Sequence, residues 1–201
     1  MFVNLELKMI TNKGKILQAA TTLLLEKGLA GMSVRAIAKL AGVSTIGIYS
    51  HFQGKQGILD ALYIEGYGYV GEAMLTASQI EDPKAAAIEG ARLYLEVAKA
   101  HEAIYRLIFG EVDFDYEPGE QARTAALEAF GYLVDIGARL LPAGASVAEK
   151  QTIALHIWAL VHGYVSLQHH AVRDVVVIDD WDKQALVAVV IMIDSVIAEH
   201  S

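Results

Sequence analysis

Between Met32 and Phe52 the chain reads MSVRAIAKLAGVSTIGIYSHF. Hydroxyl, cationic and aromatic side chains crowd this stretch, and their chemistry is contact rather than bond-making. The spacing reads as a short helix, a three- to four-residue turn containing Gly42, and a second short helix. Ala36, Ile37, Leu40, Val43 and Ile48 supply an apolar face that locks the two helices at a fixed angle, with Ala38 and Ala41 small where they approach. Ser33 and Ser44 stand where a hydroxyl can cap each helix by accepting from an orphan backbone N–H. In this geometry the second helix can enter a major groove while the first crosses the backbone.

Covalent and metal chemistry find no comparable signal. The chain has no nucleophile-elbow G-x-S-x-G, no phosphate-cradling P-loop, no dinucleotide fingerprint and no H-E-x-x-H. His156 and His162 are six apart and fall on different helix faces; His169 and His170 are adjacent and diverge. Neither pair has the i, i+4 spacing of a helical zinc site, and Glu111–Glu117 lacks the spacing of a calcium loop. The sequence is therefore expected to be neither an enzyme nor a metal protein, and no cofactor is expected.

The elements that must position the motif are helical throughout, with no clear strand alternation. A first helix is expected from about Thr11 to Lys27, with Ile16, Ala19, Ala20, Leu23 and Leu24 on one face and Gly28 ending it. The second is expected from Ser33 to Leu40 and the third from Ser44 to near Ser50. Gly54 precedes a long segment, Lys55 to about Ser78. Asp82-Pro83 reads as a cap with proline at the first helical position, opening a helix to about Ala100. A short helix is expected to follow through Phe109. The acidic stretch Gly110–Gly119 reads as a loop, and Pro118 opens a helix to Leu141. Ser146 to Glu149 has the spacing of a capping box, opening a helix to about His170. Val175–Ile178 reads as a connecting loop, and Asp180 or Asp182 caps a last helix ending near Glu199.

Bulk properties agree. The chain has 201 residues, 54% hydrophobic and 20% charged, enough for a sizeable core. It has no cysteine, which fits a reducing, cytoplasmic compartment. No signal peptide is read at the start, and the most apolar stretch, Ala185 to Ala198, is interrupted by Asp194 and shorter than the ~20 residues a membrane span needs. The net charge of −8 conceals a segregation: residues 1–62 hold seven Lys/Arg against three acids, and the remainder nine against 21. A basic end on an acidic body suits a DNA partner, since the basic end meets phosphate and the body is repelled.

The stretch resembles the tetracycline-repressor-like (TetR) family, through Ser33-Val-Arg-Ala-Ile-Ala38, Ala41-Gly-Val-Ser44 and Ile48-Tyr-Ser-His-Phe52 followed by Lys55. The resemblance implies an all-α chain, with a helix-turn-helix DNA-binding domain over 1–55 and a helical effector-binding and dimerisation domain over 56–201. By position it makes Arg35 the guanine-reading or phosphate-clamping side chain. Thr45, Ile46 and Gly47 would face base edges. Tyr49, His51 and Lys55 would grip phosphates, joined by Ser33, Ser44 and the N–H groups at the helix starts; Phe52 would be core. Where the family usually carries a small residue followed by Thr or Ala, this chain has Ile46-Gly47. Glycine there costs up to ~1 kcal/mol in helix propensity, in exchange for close backbone approach, and Ile46 offers an apolar contact to a thymine methyl.

Trp158-Ala-Leu-Val-His162-Gly163 is similar to a Trp…His-Gly signature in one branch of TetR C-terminal domains, where this helix and the last one form the dimer interface. Ile153, Ile157, Leu160, Tyr164 and Leu167, and likewise Leu186, Val190, Ile193 and Ile197, step by three or four residues, as a four-helix interface requires. A pocket for an apolar or aromatic effector is expected among Tyr63, Tyr67, Tyr94, Tyr105, Phe109, Phe130, Trp158 and His162. The resemblance thus implies a homodimer on a palindromic double-stranded operator, released by a small molecule and most often a repressor. The competing readings are an enzyme whose site sequence does not display, and a helical interaction module that has lost DNA binding.

Overall fold

In the computed structural model, residues 11–109 and 116–200 are described, and among them every regular element is helical. Two compact units appear: the chain up to Tyr67 with His101–Ala126, and Gly68–Ala100 with Leu127 onward. The start of the long helix after Gly54 and the segment from His101 group with the helix-turn-helix. The acidic residues Glu111, Asp113 and Asp115 lie outside the described residues.

The first unit opens with α1 (Asn12–Gly31), capped by the Thr11 hydroxyl, which accepts from Gly14 N at 3.0 Å. Gly28 breaks the helix as expected, with φ 64 and ψ −174, but one further turn carries it to Gly31 and buries Leu29. Next come α2 (Val34–Ala41), α3 (Thr45–Phe52) and α4 (Lys55–Ser78). Ile16, Ala20, Leu23 and Leu24 of α1 form the core with Ile37, Ile48 and Phe52, all buried. The short α6 (Glu102–Ile108) packs on α1 and closes against α4 at Gly66, where an added Cβ would lie 2.6 Å from Ile104.

In the second unit, α5 (Pro83–Ala100), α8 (Val147–Gln168) and α9 (Trp181–Glu199) pack on one another. They bury Ala87, Ala91 and Leu95 with Ile157, Val161, Val189 and Ile193. The caps follow the sequence: Asp82 accepts from Ala85 N at 2.6 Å, and Ser146 and Glu149 form the full capping box. Of the two candidate caps for α9, Asp180 takes the role, accepting from Lys183 N at 3.0 Å. Asp182 instead pairs with Lys99, and Asp194, which interrupts the apolar run, pairs with Lys84. These partly exposed pairs register α9 on α5 more than they stabilise it. After α7 (Glu120–Ala138), the Arg139 guanidinium donates to the carbonyls of Ser78, Ile80 and Glu81, satisfying the open end of α4.

Candidate nucleic-acid interface

Two matched helices build the site. Both α2 and α3 are eight residues long, and each has a serine N-cap. The Ser33 hydroxyl accepts from Ala36 N at 3.1 Å, and Ser44 from Gly47 N at 3.0 Å. Each hydroxyl keeps its own O–H to donate, so capping and phosphate binding are compatible. Both helices also end in a left-handed residue, Gly42 at φ 67 and Gln53 at φ 59, whose N–H closes back on Ala38 O and Tyr49 O. An eight-residue helix is too short to persist on propensity alone. Caps at both ends and an inward face of Ile37, Ala38, Ile48 and Phe52 hold these two in place.

With Ile48 and Phe52 turned inward, the remaining α3 residues are presented outward. Ile46 is 79% exposed and Tyr49 57%. Thr45, Ser50 and His51 are exposed as well. At 100° per residue Thr45 and Tyr49 lie on one flank, Gly47 and His51 on the other, and Ile46 and Ser50 outermost. Arg35 and Lys39 are the exposed cations of α2. Lys39 and Ser50 are additions to the expected set; their polar types at positions off the inward stripe were the available signal.

The backbone explains Tyr49 and leaves Gly47 to its surroundings. Gly54, at φ 119, lies beside the Tyr49 ring, where an added Cβ would sit 3.3 Å from Cε1 and crowd it. At Gly47 the nearest atom to an added Cβ is Ser44 Oγ, at an ordinary 3.5 Å. Nothing within the fold requires glycine there. Lys55 stands apart from the outward set: half-buried, its ammonium donates to Leu29 O at 2.7 Å and ties the start of α4 to the end of α1.

The residues expected to line an effector pocket fall into two groups, one in each unit. In the first, the tilted rings of Tyr63 and Tyr67 have centroids 5.0 Å apart, Tyr67 meets Phe109 at 6.0 Å, and Phe109 meets Tyr105 at 4.5 Å. In the second, Trp158 lies 5.9 Å from Phe130 and 6.4 Å from His162, and donates to the Tyr94 hydroxyl at 3.0 Å. Of the expected dimer residues, Ile153, Ile157 and Ile193 are buried within the subunit core, 8%, 1% and 0% exposed. Leu160, Tyr164, Leu186 and Val190 are half-buried, and Leu167 and Ile197 exposed. Exposed apolar residues outside the expected set include Val147 and Leu155 on α8 and Val187 and Ile191 on α9.

Comparison with known proteins agrees with this architecture. Residues 16–62 match the model for bacterial regulatory proteins of the tetR family, and residues 88–183 match a tetracyclin repressor-like C-terminal domain. The chain belongs to the TetR family. The description of the C-terminal match names no Trp-His-Gly branch. A Bacillus subtilis protein named a probable HTH-type transcriptional regulator, YttP, is 29% identical over 109 residues. That alignment spans 53% of this chain, and the chain spans only about half the length of that relative. Among solved structures, a protein of unknown function from Rhodococcus sp. RHA1 superposes with a TM-score of 0.74 at 23% identity, covering 94% of this chain and 95% of that one. The TetR-family regulator PfmR from Thermus thermophilus gives 0.65 at 15% identity, over 91% and 97%. These likenesses show a shared fold. Among the described residues of this TetR-family chain, no helix is long and apolar enough to cross a membrane, and no group of three acidic, histidine or cysteine side chains is placed to hold a metal ion.

Proposed function

We propose that this TetR-family chain is a dimeric transcription regulator that reads a palindromic operator with α2 and α3 and leaves it when a small apolar or aromatic effector binds. The observation that carries the reading is the outward face of α3. A helix capped at both ends holds Ile46 and Tyr49 in water, where they cost solubility and contribute nothing to the core. A surface of that kind suits a groove lined by thymine methyls and flanked by phosphates. Arg35 and Lys39 on α2, with the capping hydroxyls, supply the backbone grip. The charge segregation along the sequence orients the approach.

Two-fold pairing through α8 and α9 would place two recognition helices about one DNA turn apart. The surface available for it is the exposed row Leu155, Val187 and Ile191, with Leu167 and Ile197 at its margins. Effector release by tenfold requires about 1.4 kcal/mol of differential affinity for the two conformations. The test is selection from a random duplex pool at ~150 mM salt, where nonspecific phosphate binding is weakened. Enrichment of a palindrome with half-sites about one helical turn apart is the expected result. No enrichment from folded dimer would defeat the proposal in favour of an interaction module.

A further inference from the structure

We infer that Asp60 is a positioning residue for DNA binding, anchoring the second turn of α4 to the Tyr116–Gly119 segment and so fixing the angle at which α3 is presented. This rests on the proposed reading of α3. One oxygen of the carboxylate, Oδ1, accepts from three donors: the Tyr116 hydroxyl at 2.8 Å, Gly119 N at 3.0 Å and Gln56 Nε2 at 3.2 Å. Gln56 Nε2 also donates to Glu117 O at 2.8 Å, so two successive turns of α4 grip the same short segment. Hydrogen bonds to an ionised acceptor are roughly twice as strong as neutral ones. Burial, and then the bond to Asp60, push the Tyr116 hydroxyl well above its ordinary range, so it stays a donor at every working pH. Its ring packs on Tyr63 with centroids 5.9 Å apart.

Two further features make this a built contact. Gly119 is held so close that an added Cβ would lie 2.8 Å from Asp60 Oδ2. Asp60 is also one of only three acids among the first 62 residues, so it weakens the attraction of that end for phosphate. What it gives in return is geometric. Only Gln53 and Gly54, at φ 59 and φ 119, separate α3 from α4. That linker is only two residues long, and each of its residues is tied to the helix beside it, Gln53 N to Tyr49 O of α3 and Gly54 O to Ile58 N of α4. A rotation of the first turns of α4 therefore becomes a rotation of α3.

The experiment compares folded, dimeric D60A, Y116F, G119A and D60N with the unmodified protein, on the operator recovered by selection. D60A and G119A are expected to weaken binding about tenfold, the lower end of what a hydrogen bond to a charged partner contributes, and Y116F less, since Asp60 then keeps Gly119 N and Gln56 Nε2 as donors. D60N keeps an Oδ1 acceptor and is expected to restore most of the affinity. The salt dependence should keep its slope in all four, since no phosphate contact is removed. A second readout needs no DNA: amide exchange over residues 53–62 of the free protein should quicken at least about tenfold in D60A and G119A, with the core amides of α1 unchanged. Native affinity in D60A and Y116F, or native exchange in D60A, would overturn the inference. If the unmodified protein selects no operator, the proposed function fails while the exchange comparison still decides the anchor.

Discussion

The helices α3 and α9 are both rich in aliphatic residues, yet they dispose of them in opposite ways. In α3, eight residues long, Ile48 is fully buried while Ile46, two positions earlier, is 79% exposed. In α9, nineteen residues long, Ala185, Val189 and Ile193 are fully buried, while Val187 and Ile191 lie on the water side of the same helix. In an eight-residue helix the two buried side chains, Ile48 and Phe52, already define the inward face, and the apolar side chains that face out follow from them. A long helix that is apolar nearly all round has no such marker in its sequence. Several stripes then step by three and four residues equally well, and only packing chooses among them.

That contrast explains what could be read in advance. Ser33, Gly42, Ser44 and Gly54 bracketed α2 and α3 closely, while the set Arg35, Thr45, Ile46, Tyr49 and His51 was implied by the TetR resemblance, and these five side chains are exposed. The ends of α5, α8 and α9 were legible for the same reason, through Asp82, the Ser146–Glu149 box and Asp180. The faces of α8 and α9 were not: the stripe from Ile153 to Leu167 begins in the core and drifts out to the surface. Lys55 was equally opaque, because its partner, the Leu29 carbonyl, is 26 residues away and is exposed only by the break at Gly28. Two of the three donors to Asp60, Tyr116 and Gly119, reach it across 56 and 59 residues, beyond any local pattern.

The contrast can be broken by paired substitutions, beginning with the largest effects. Ile193→Ala in α9 and Ile48→Ala in α3 each empty a fully buried site and should cost about 2–5 kcal/mol, read as a shift in the urea midpoint. Their neighbours should behave otherwise. Ile191→Asp should halve the solution mass by light scattering at micromolar concentration while far-ultraviolet dichroism keeps its helical signal; an intact dimer would remove this row from the interface. Ile46→Ala should leave stability within ~0.5 kcal/mol, as surface changes do, yet alter the half-site recovered by selection. Unchanged selection would mean that α3 reads no base at this position.

Smaller effects sharpen the same comparison. Ser44→Ala removes the acceptor for Gly47 N and should cost about 1 kcal/mol in denaturant unfolding, with operator affinity falling further than that loss alone produces. Gly47→Ala should raise stability by about 0.5–1 kcal/mol, because the added methyl meets only Ser44 Oγ at 3.5 Å. Binding measured by fluorescence anisotropy should move the other way, since the methyl would stand between the α3 backbone and the groove. Tighter binding by Gly47→Ala would show that the glycine serves neither fold nor contact.

The symmetry of caps on α2 and α3 has a consequence for how such a chain changes over generations. Each helix closes its own terminal hydrogen bonds, with serine at one end and a left-handed residue at the other, so the stability of the pair is insulated from the identity of its outward side chains. Thr45, Ile46, Ser50 and His51, all exposed, can therefore be substituted without first acquiring a compensating stabiliser elsewhere. A duplicated copy of the chain can explore new operators by single steps that never pass through an unfolded ancestor.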